Sequence, residues 1–189
     1  MPRPPRPLFV QATYHVTANR CAGGPLFEDS HDRATLIAIL AAVVRRHDWT
    51  CTSYCLMTTH FHLMLTTPEA DLDAGMQRLN GQYATSFNRR HGGAGHVFAR
   101  RYGAELIQSD GHLLETCRYV ALNPVRAGLC VAPEDWRWSS FRATMGEEPA
   151  PDFLDTDSLL RLFGPTDRVA RARFRAFVDD ANPLQGLTP

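Results

Sequence analysis

The chain has 189 residues, 44% of them hydrophobic and 21% charged, with twenty basic side chains balanced by twenty acidic ones. That length buries a full core and the composition is ordinary for a soluble globular protein, so one main domain with at most a small appendage is expected. The longest apolar run is too short to span a bilayer, the start MPRPPRP lacks the apolar centre of a secretory signal, and a net charge of zero argues by itself against a nucleic-acid binder.

Residues 1–8 are expected as a flexible arm stiffened by proline. FVQATYHVTANR (9–20) alternates with β-branched and aromatic residues and reads as a strand. After the turn-rich CAGGP, residues 29–47 carry Leu36, Leu40, Val43 and Val44 at helical spacing, with acidic residues in the first turn. Two apolar runs, 49–57 and 60–67, are separated only by Thr58 and Thr59, most simply as a hairpin. A second helix over about 71–90 places Leu72, Met76, Leu79, Tyr83 and Phe87 on one stripe. HGGAGH interrupts it, and YGAELIQ (102–108) reads as a fourth strand. SDGHLLETCRYVALNP then makes a third helix expected to stop at Pro124.

The order β-α-β-β-α-β-α implies an α+β, ferredoxin-like (split βαβ) antiparallel sheet with helices on one face and the other face open. GEEPAPD (146–152) reads as a linker between a domain over 9–145 and a small helical C-terminal extension, 153–189. Within the extension, helices at about 155–163 and 167–179 are divided by Gly164-Pro165. The five cysteines are odd in number and lack metal-knuckle spacing, which reads as reduced thiols in a cytoplasmic protein, with Cys51 and Cys55 as small core residues.

Chemistry enters through YCLMTTHFHLML (54–65). Side chains alternate along a strand, so Phe61, Leu63 and Leu65 point to the helices while His60, His62 and Met64 point to the open face. Two imidazoles at i, i+2 converge on one metal ion or hydrogen-bond across the sheet; both readings stand on spacing alone. The third helix bears on that choice. At 100° per residue, Leu113, Leu114, Cys117, Val120 and Ala121 form its apolar side, and Tyr119 lies nearly opposite with His112, Thr116 and Asn123. Tyr119 on a polar face is not there for core packing, whereas Tyr83 falls inside its own apolar stripe. Asn123, just before a proline, reads as a helix cap or as a third ligand beside the histidines.

Charge is unevenly spread. Every basic residue is arginine. Arg78, Arg89, Arg90, Arg100, Arg101, Arg118 and Arg126 lie between Met76 and Arg126, against Glu105, Asp110 and Glu115. Local charge rather than the total sets the field that a polyanion meets.

YCLMTTHFHLML, RLNGQYATSFNRRHGGAGHVFARRY and LLETCRYVALNPVRAGL, in that order over residues 9–145, resemble the REP-associated tyrosine transposases, members of the single-tyrosine HUH (His-hydrophobic-His) transposases. The resemblance implies a ferredoxin-like core that cuts and rejoins single-stranded DNA, in these proteins often hairpin-containing. It implies Tyr119 as the nucleophile and His60, His62 and Asn123 as metal ligands. Relatives often carry Pro-Asn ahead of the first histidine where this chain has Thr58-Thr59, a difference in a turn and not in a ligand.

The implied chemistry is attack by Tyr119 on phosphorus, leaving a 5′-phosphotyrosine and a free 3′-hydroxyl. A free tyrosine has a pKa of about 10, so about one part in a thousand is phenolate at neutral pH, and a divalent ion, Mg²⁺ or Mn²⁺, would assist. Arg89, Arg90, Arg100, Arg101, Arg118 and Arg126 are candidate phosphate contacts, and His15, on one face with Thr13 and Thr17, is a candidate DNA contact. Tyr14, Phe98 and Tyr102 are candidate base-stacking residues, Phe98 also fitting a core role. Two rival readings remain: a catalytically silent nucleic-acid-binding domain, and a metal-dependent hydrolase using the H-x-H pair. Monomer and homodimer, and a tyrosine acting on its own or a partner's histidines, are both compatible with the sequence.

Overall fold

The computed structural model describes residues 8–21 and 24–181, so the expected arm at 1–7 and the end of the expected extension at 182–189 lie outside the described residues. Four strands, β1 (Ala12–Asn19), β2 (Thr50–Leu56), β3 (His60–Thr67) and β4 (Gly103–Leu106), form one antiparallel sheet in the order β2-β3-β1-β4. Helices α1 (Ser30–His47) and α2 (Leu72–His91) complete the two β-α-β halves, as the sequence pattern anticipates. Phe61, Leu63 and Leu65 of β3 and Tyr14 and Val16 of β1 are buried with Leu36, Leu40, Met76, Leu79 and Tyr83 of these helices. Each such side chain contributes roughly 1.5–3 kcal/mol of burial.

Local chemistry fixes the element ends. Asp29 caps α1 by accepting hydrogen bonds from the backbone N–H groups of His31 (2.9 Å) and Asp32 (3.1 Å). Asp48, in the left-handed region at φ 54°, ends it. Gly92 ends α2 at φ 65°, a conformation that costs glycine nothing. The β2–β3 hairpin turns over Thr58-Thr59, with Leu26 N–H donating to Thr58 O and Arg20 N–H to Thr59 O, both at 2.8 Å. The hairpin tip is thereby tied to the strand ends beside it.

The other face of the sheet is only partly open. Helix α3 (Asp110–Arg126) and the helices α4 (Phe141–Met145), α5 (Thr156–Arg161) and α6 (Asp167–Asp179) gather over it. There Met64 is buried with Cys117, Ala121, Leu122, Val125, Phe141, Leu159, Phe174 and Val178. The expected open face is thus covered over part of its width, because α3 carries apolar residues that need a partner and Met64 supplies it. Stretch 146–152 is held by ion pairs from Glu147 to Arg175 and from Glu148 to Arg142, and Asp155 N–H donates to Cys51 O at 2.8 Å.

Helix α3 does not stop at Pro124. It runs to Arg126, and the backbone N–H of Ala127 closes it onto Asn123 O. A proline in the last turn removes one hydrogen bond without breaking the helix, because its ring needs only the helical φ. Asn123 therefore lies inside the helix, and its side chain is free of capping duty. Two aromatic assignments also change. Tyr14 and Tyr102 are buried, Tyr14 in the helix-side core with its hydroxyl accepting from Phe9 N–H at 2.8 Å, so neither presents a face to a base. Phe98 packs against the same core.

Candidate functional site

Strand alternation and register assemble the site. In the antiparallel pairs, Asn19 faces His60, Thr17 faces His62 and His15 faces Met64, while His15 faces Glu105 on its other side. His15, Thr17, His60 and His62 thus share the face that α3 covers. The imidazoles of His60 and His62 lie 4.9 Å apart between ring centroids, and those of His15 and His62 lie 5.1 Å apart and nearly parallel, 19° between planes.

Helix α3 brings its polar side to this cluster. Tyr119 meets His62 edge-on at 5.6 Å and His15 at 6.1 Å between centroids, and is 40% exposed. One turn on, Asn123 is buried with its Nδ2 at 3.3 Å from Nε2 of His62. The side of α3 expected to face water instead docks polar groups on polar groups. Thr116 there is also buried, its hydroxyl donating to His112 O at 2.8 Å. All of these contacts are within one chain.

Burial dominates the electrostatics. His62 is 3% exposed, and desolvation, reinforced by repulsion from His15 and His60, holds its pKa down at about 3, so the ring is neutral at pH 7. Burial also lowers His60, and lowers His15 against an opposing pull from Glu105. A neutral imidazole keeps one nitrogen lone pair for a ligand. Both Nδ1 atoms already have partners: Thr59 Oγ1 lies 3.2 Å from His60 Nδ1, and His15 Nε2 lies 2.9 Å from His62 Nδ1. Two imidazoles and the amide of Asn123 make a neutral donor set that a divalent ion accepts, with room left for phosphate or water oxygens. Among the described residues no cluster of three or more His, Cys, Asp or Glu is spaced to hold a metal ion, so a third protein ligand here would be the Asn123 amide.

The expected DNA contacts separate. Arg126 stands over the Tyr119 ring at 5.6 Å from its centroid, exposed at the end of α3. Arg89 and Arg100 are exposed. Arg101 lies 3.7 Å from Asp73. Two expectations meet competing partners. Arg90 is bound to Asp29 and Asp32 across the α1–α2 contact, with 2.6 Å to the buried Asp32 carboxylate, which needs a cation. Arg118 donates to Glu115 at 2.5 Å and to Phe177 O at 3.3 Å, with its guanidinium 4.3 Å from the Phe177 ring centroid. His15, expected at the DNA, is hydrogen-bonded to His62. Two neighbours carry no assignment in the sequence reading: Thr59, visible there only as a turn residue, and Glu105, visible only as one of three acids. Register against His15 is the signal that selects Glu105.

Burial pushes the thiols of Cys51 and Cys117 up to about 12, and all five cysteines are unpaired: Cys51, Cys55 and Cys117 lie in the core, and Cys21 and Cys130 are half-buried. No helix among the described residues is long and apolar enough to cross a membrane.

The family model described as IS200-like transposase matches residues 9–123. A protein of Haemophilus influenzae described as a REP-associated tyrosine transposase is 27% identical over 109 residues, 52% of this chain and 62% of that protein. The chain thus spans under two thirds of that relative's length. A solved structure described as a REP-associated tyrosine transposase bound to a REP hairpin superposes with a TM-score of 0.66 at 20% identity, covering 82% of this chain and 94% of the other. At that identity the likeness carries the fold.

Proposed function

The chain belongs to the IS200-like transposase family, and from that premise we propose that it cleaves and rejoins single-stranded DNA, in hairpin-containing elements, through a covalent bond between Tyr119 and a 5′-phosphate. The observation that carries this reading is the meeting of Tyr119 and Asn123, from one helix, with His62 of the same chain. An exposed phenol beside a cluster of neutral imidazoles suits attack on a phosphodiester.

His60, His62 and the amide oxygen of Asn123 would hold a divalent ion, Mg²⁺ or Mn²⁺. When bound, such an ion offsets phosphate charge, an effect worth several kcal/mol. Tyr119 Oη forms the new bond to phosphorus as the P–O3′ bond breaks. The phenolic proton leaves to solvent, and the departing 3′ oxygen takes one up. The phosphoester count is conserved, so a 3′-hydroxyl end can reverse the step without an energy source. Arg126, exposed beside the Tyr119 ring, would contact a phosphate next to the scissile one, and Arg89, Arg100 and Arg101 would steer the strand. Arg90 and Arg118 would act through the ion pairs that hold α2 and α3.

The test is incubation with hairpin-containing single-stranded DNA and Mg²⁺ or Mn²⁺, followed by a denaturing gel. A protein–DNA adduct is expected, absent in Tyr119→Phe. An adduct that survives Tyr119→Phe removes Tyr119 as nucleophile. Cleavage without an adduct identifies a hydrolase, and binding without cleavage a silent domain.

A further inference from the structure

We propose that His15 is a positioning residue: its Nε2 accepts a hydrogen bond from Nδ1–H of His62, which fixes the tautomer that leaves His62 Nε2 unprotonated, with its lone pair on the side of Asn123. The inference rests on the reading of His60, His62 and Asn123 as a divalent-ion site.

A neutral imidazole carries one proton, and the partner of one nitrogen decides which nitrogen bears it. Asn123 Nδ2 has only hydrogens to offer, and it stands 3.3 Å from His62 Nε2, which therefore accepts. The His62 proton is then on Nδ1, 2.9 Å from His15 Nε2, which must accept in turn. That leaves the His15 proton on its own Nδ1. Glu105, the cross-strand neighbour of His15 on the same face, supplies negative charge beside it. His112 lies 3.6 Å from Glu105, and the Tyr119 ring lies 6.1 Å from that of His15. Reversed, the chain fails: a proton on His62 Nε2 would meet the hydrogens of Asn123, and that nitrogen could bind no ion.

Thr59 stands to His60 as His15 stands to His62, its hydroxyl oxygen 3.2 Å from Nδ1. Both ring nitrogens remote from the ion site are thus held from behind, one by the hairpin turn and one by β1. Such outer partners typically alter metal affinity about 10–100-fold when removed. His15 itself touches neither Asn123 nor, in this scheme, the ion.

Two measurements on the full chain test this. Long-range ¹H–¹⁵N correlation spectra of the metal-free protein, with His62 assigned by comparison with His62→Ala, should show His62 protonated at Nδ1. Calorimetric titration with MnCl₂ alone should show affinity falling about 10–100-fold in His15→Phe, which removes the acceptor. His15→Gln, whose side-chain carbonyl accepts, should restore most of it. A wild-type His62 protonated at Nε2 overturns the proposal without any variant. So does His15→Phe binding Mn²⁺ as tightly as wild type. If His62→Ala binds as wild type does, the ion site itself is wrong, and the tautomer spectrum still decides the role of His15.

Discussion

Two glycines of α2 offer a matched pair whose fates should diverge. A methyl group on Gly75 would sit 2.0 Å from Cη2, 2.3 Å from Cζ2 and 2.9 Å from Cζ3 of Trp49, whereas one on Gly81 meets nothing within 4 Å. The indole has little freedom to retreat. It is buried, its Nε1 donates to Asp71 at 2.8 Å, its ring lies 5.1 Å from that of His47, and His47 Nδ1 reaches the same carboxylate at 2.5 Å. Relief requires the ring to move by roughly 1.5 Å to regain ordinary carbon contact. Such overpacking costs about 1–3 kcal/mol, and losing the indole–carboxylate bond costs about 1.5–3 kcal/mol more. Better helix propensity returns about 1 kcal/mol. Gly75→Ala should therefore destabilise by about 1.5–5 kcal/mol, while Gly81→Ala should stabilise by up to about 1 kcal/mol. At about 2–4 °C per kcal/mol for a chain of this size, thermal midpoints should fall by about 3–20 °C and rise by a few degrees, respectively. Urea unfolding measures the free energies directly. If both variants shift upward together, the tight seating of Trp49 on α2 is refuted.

Acid should unfold the metal-free protein through His62. The unfolded chain binds a proton near pH 6.5 that the folded chain refuses until about 3, so stability falls as pH drops through that window, by at most about 1.4 kcal/mol per unit. His62→Gln should flatten this slope, and an unchanged slope would show that the ring is not held neutral. Arg90→Ala should lower the thermal midpoint, because Asp29 and Asp32 lose their cation, and leave affinity for hairpin DNA unchanged. Lost affinity at an unchanged midpoint would reinstate Arg90 as a DNA contact. Arg126→Ala should weaken DNA binding and reduce the slope of log affinity against log salt by about 0.7 per lost phosphate contact. An unaltered slope would remove Arg126 from the DNA path.

The pattern of the central strands was legible because a period of two admits only one way to bury Phe61, Leu63 and Leu65, and that choice turns His60 and His62 together. Helical period likewise grouped Tyr119 with Asn123. What period cannot say is what a face packs against. The polar side of α3 looked solvent-bound, yet it is satisfied by imidazoles from strands more than fifty residues earlier. Asn123 looked on spacing more like a cap, because whether Pro124 ends a helix depends on the turns that follow it. Arg90 and Arg118 read as free charge for the same reason: the carboxylates of Asp29 and Asp32 and the ring of Phe177 are distant in sequence and close in space. His15 was visible as a face-mate of Thr13 and Thr17, but its bond to His62 follows from strand register, which no single strand encodes.

The grip of α6 on α3 has a mechanical consequence. Arg118 on Phe177, with Phe174 and Val178 in one apolar cluster with Cys117 and Ala121, braces the helix that carries Tyr119. The brace comes from residues beyond the family match, which ends at 123. Held by the sheet on one side and by α6 on another, α3 is a mount rather than a lever. A strand joined to Tyr119 would hang from a fixed point, and the travel needed to meet a second end would fall to the DNA.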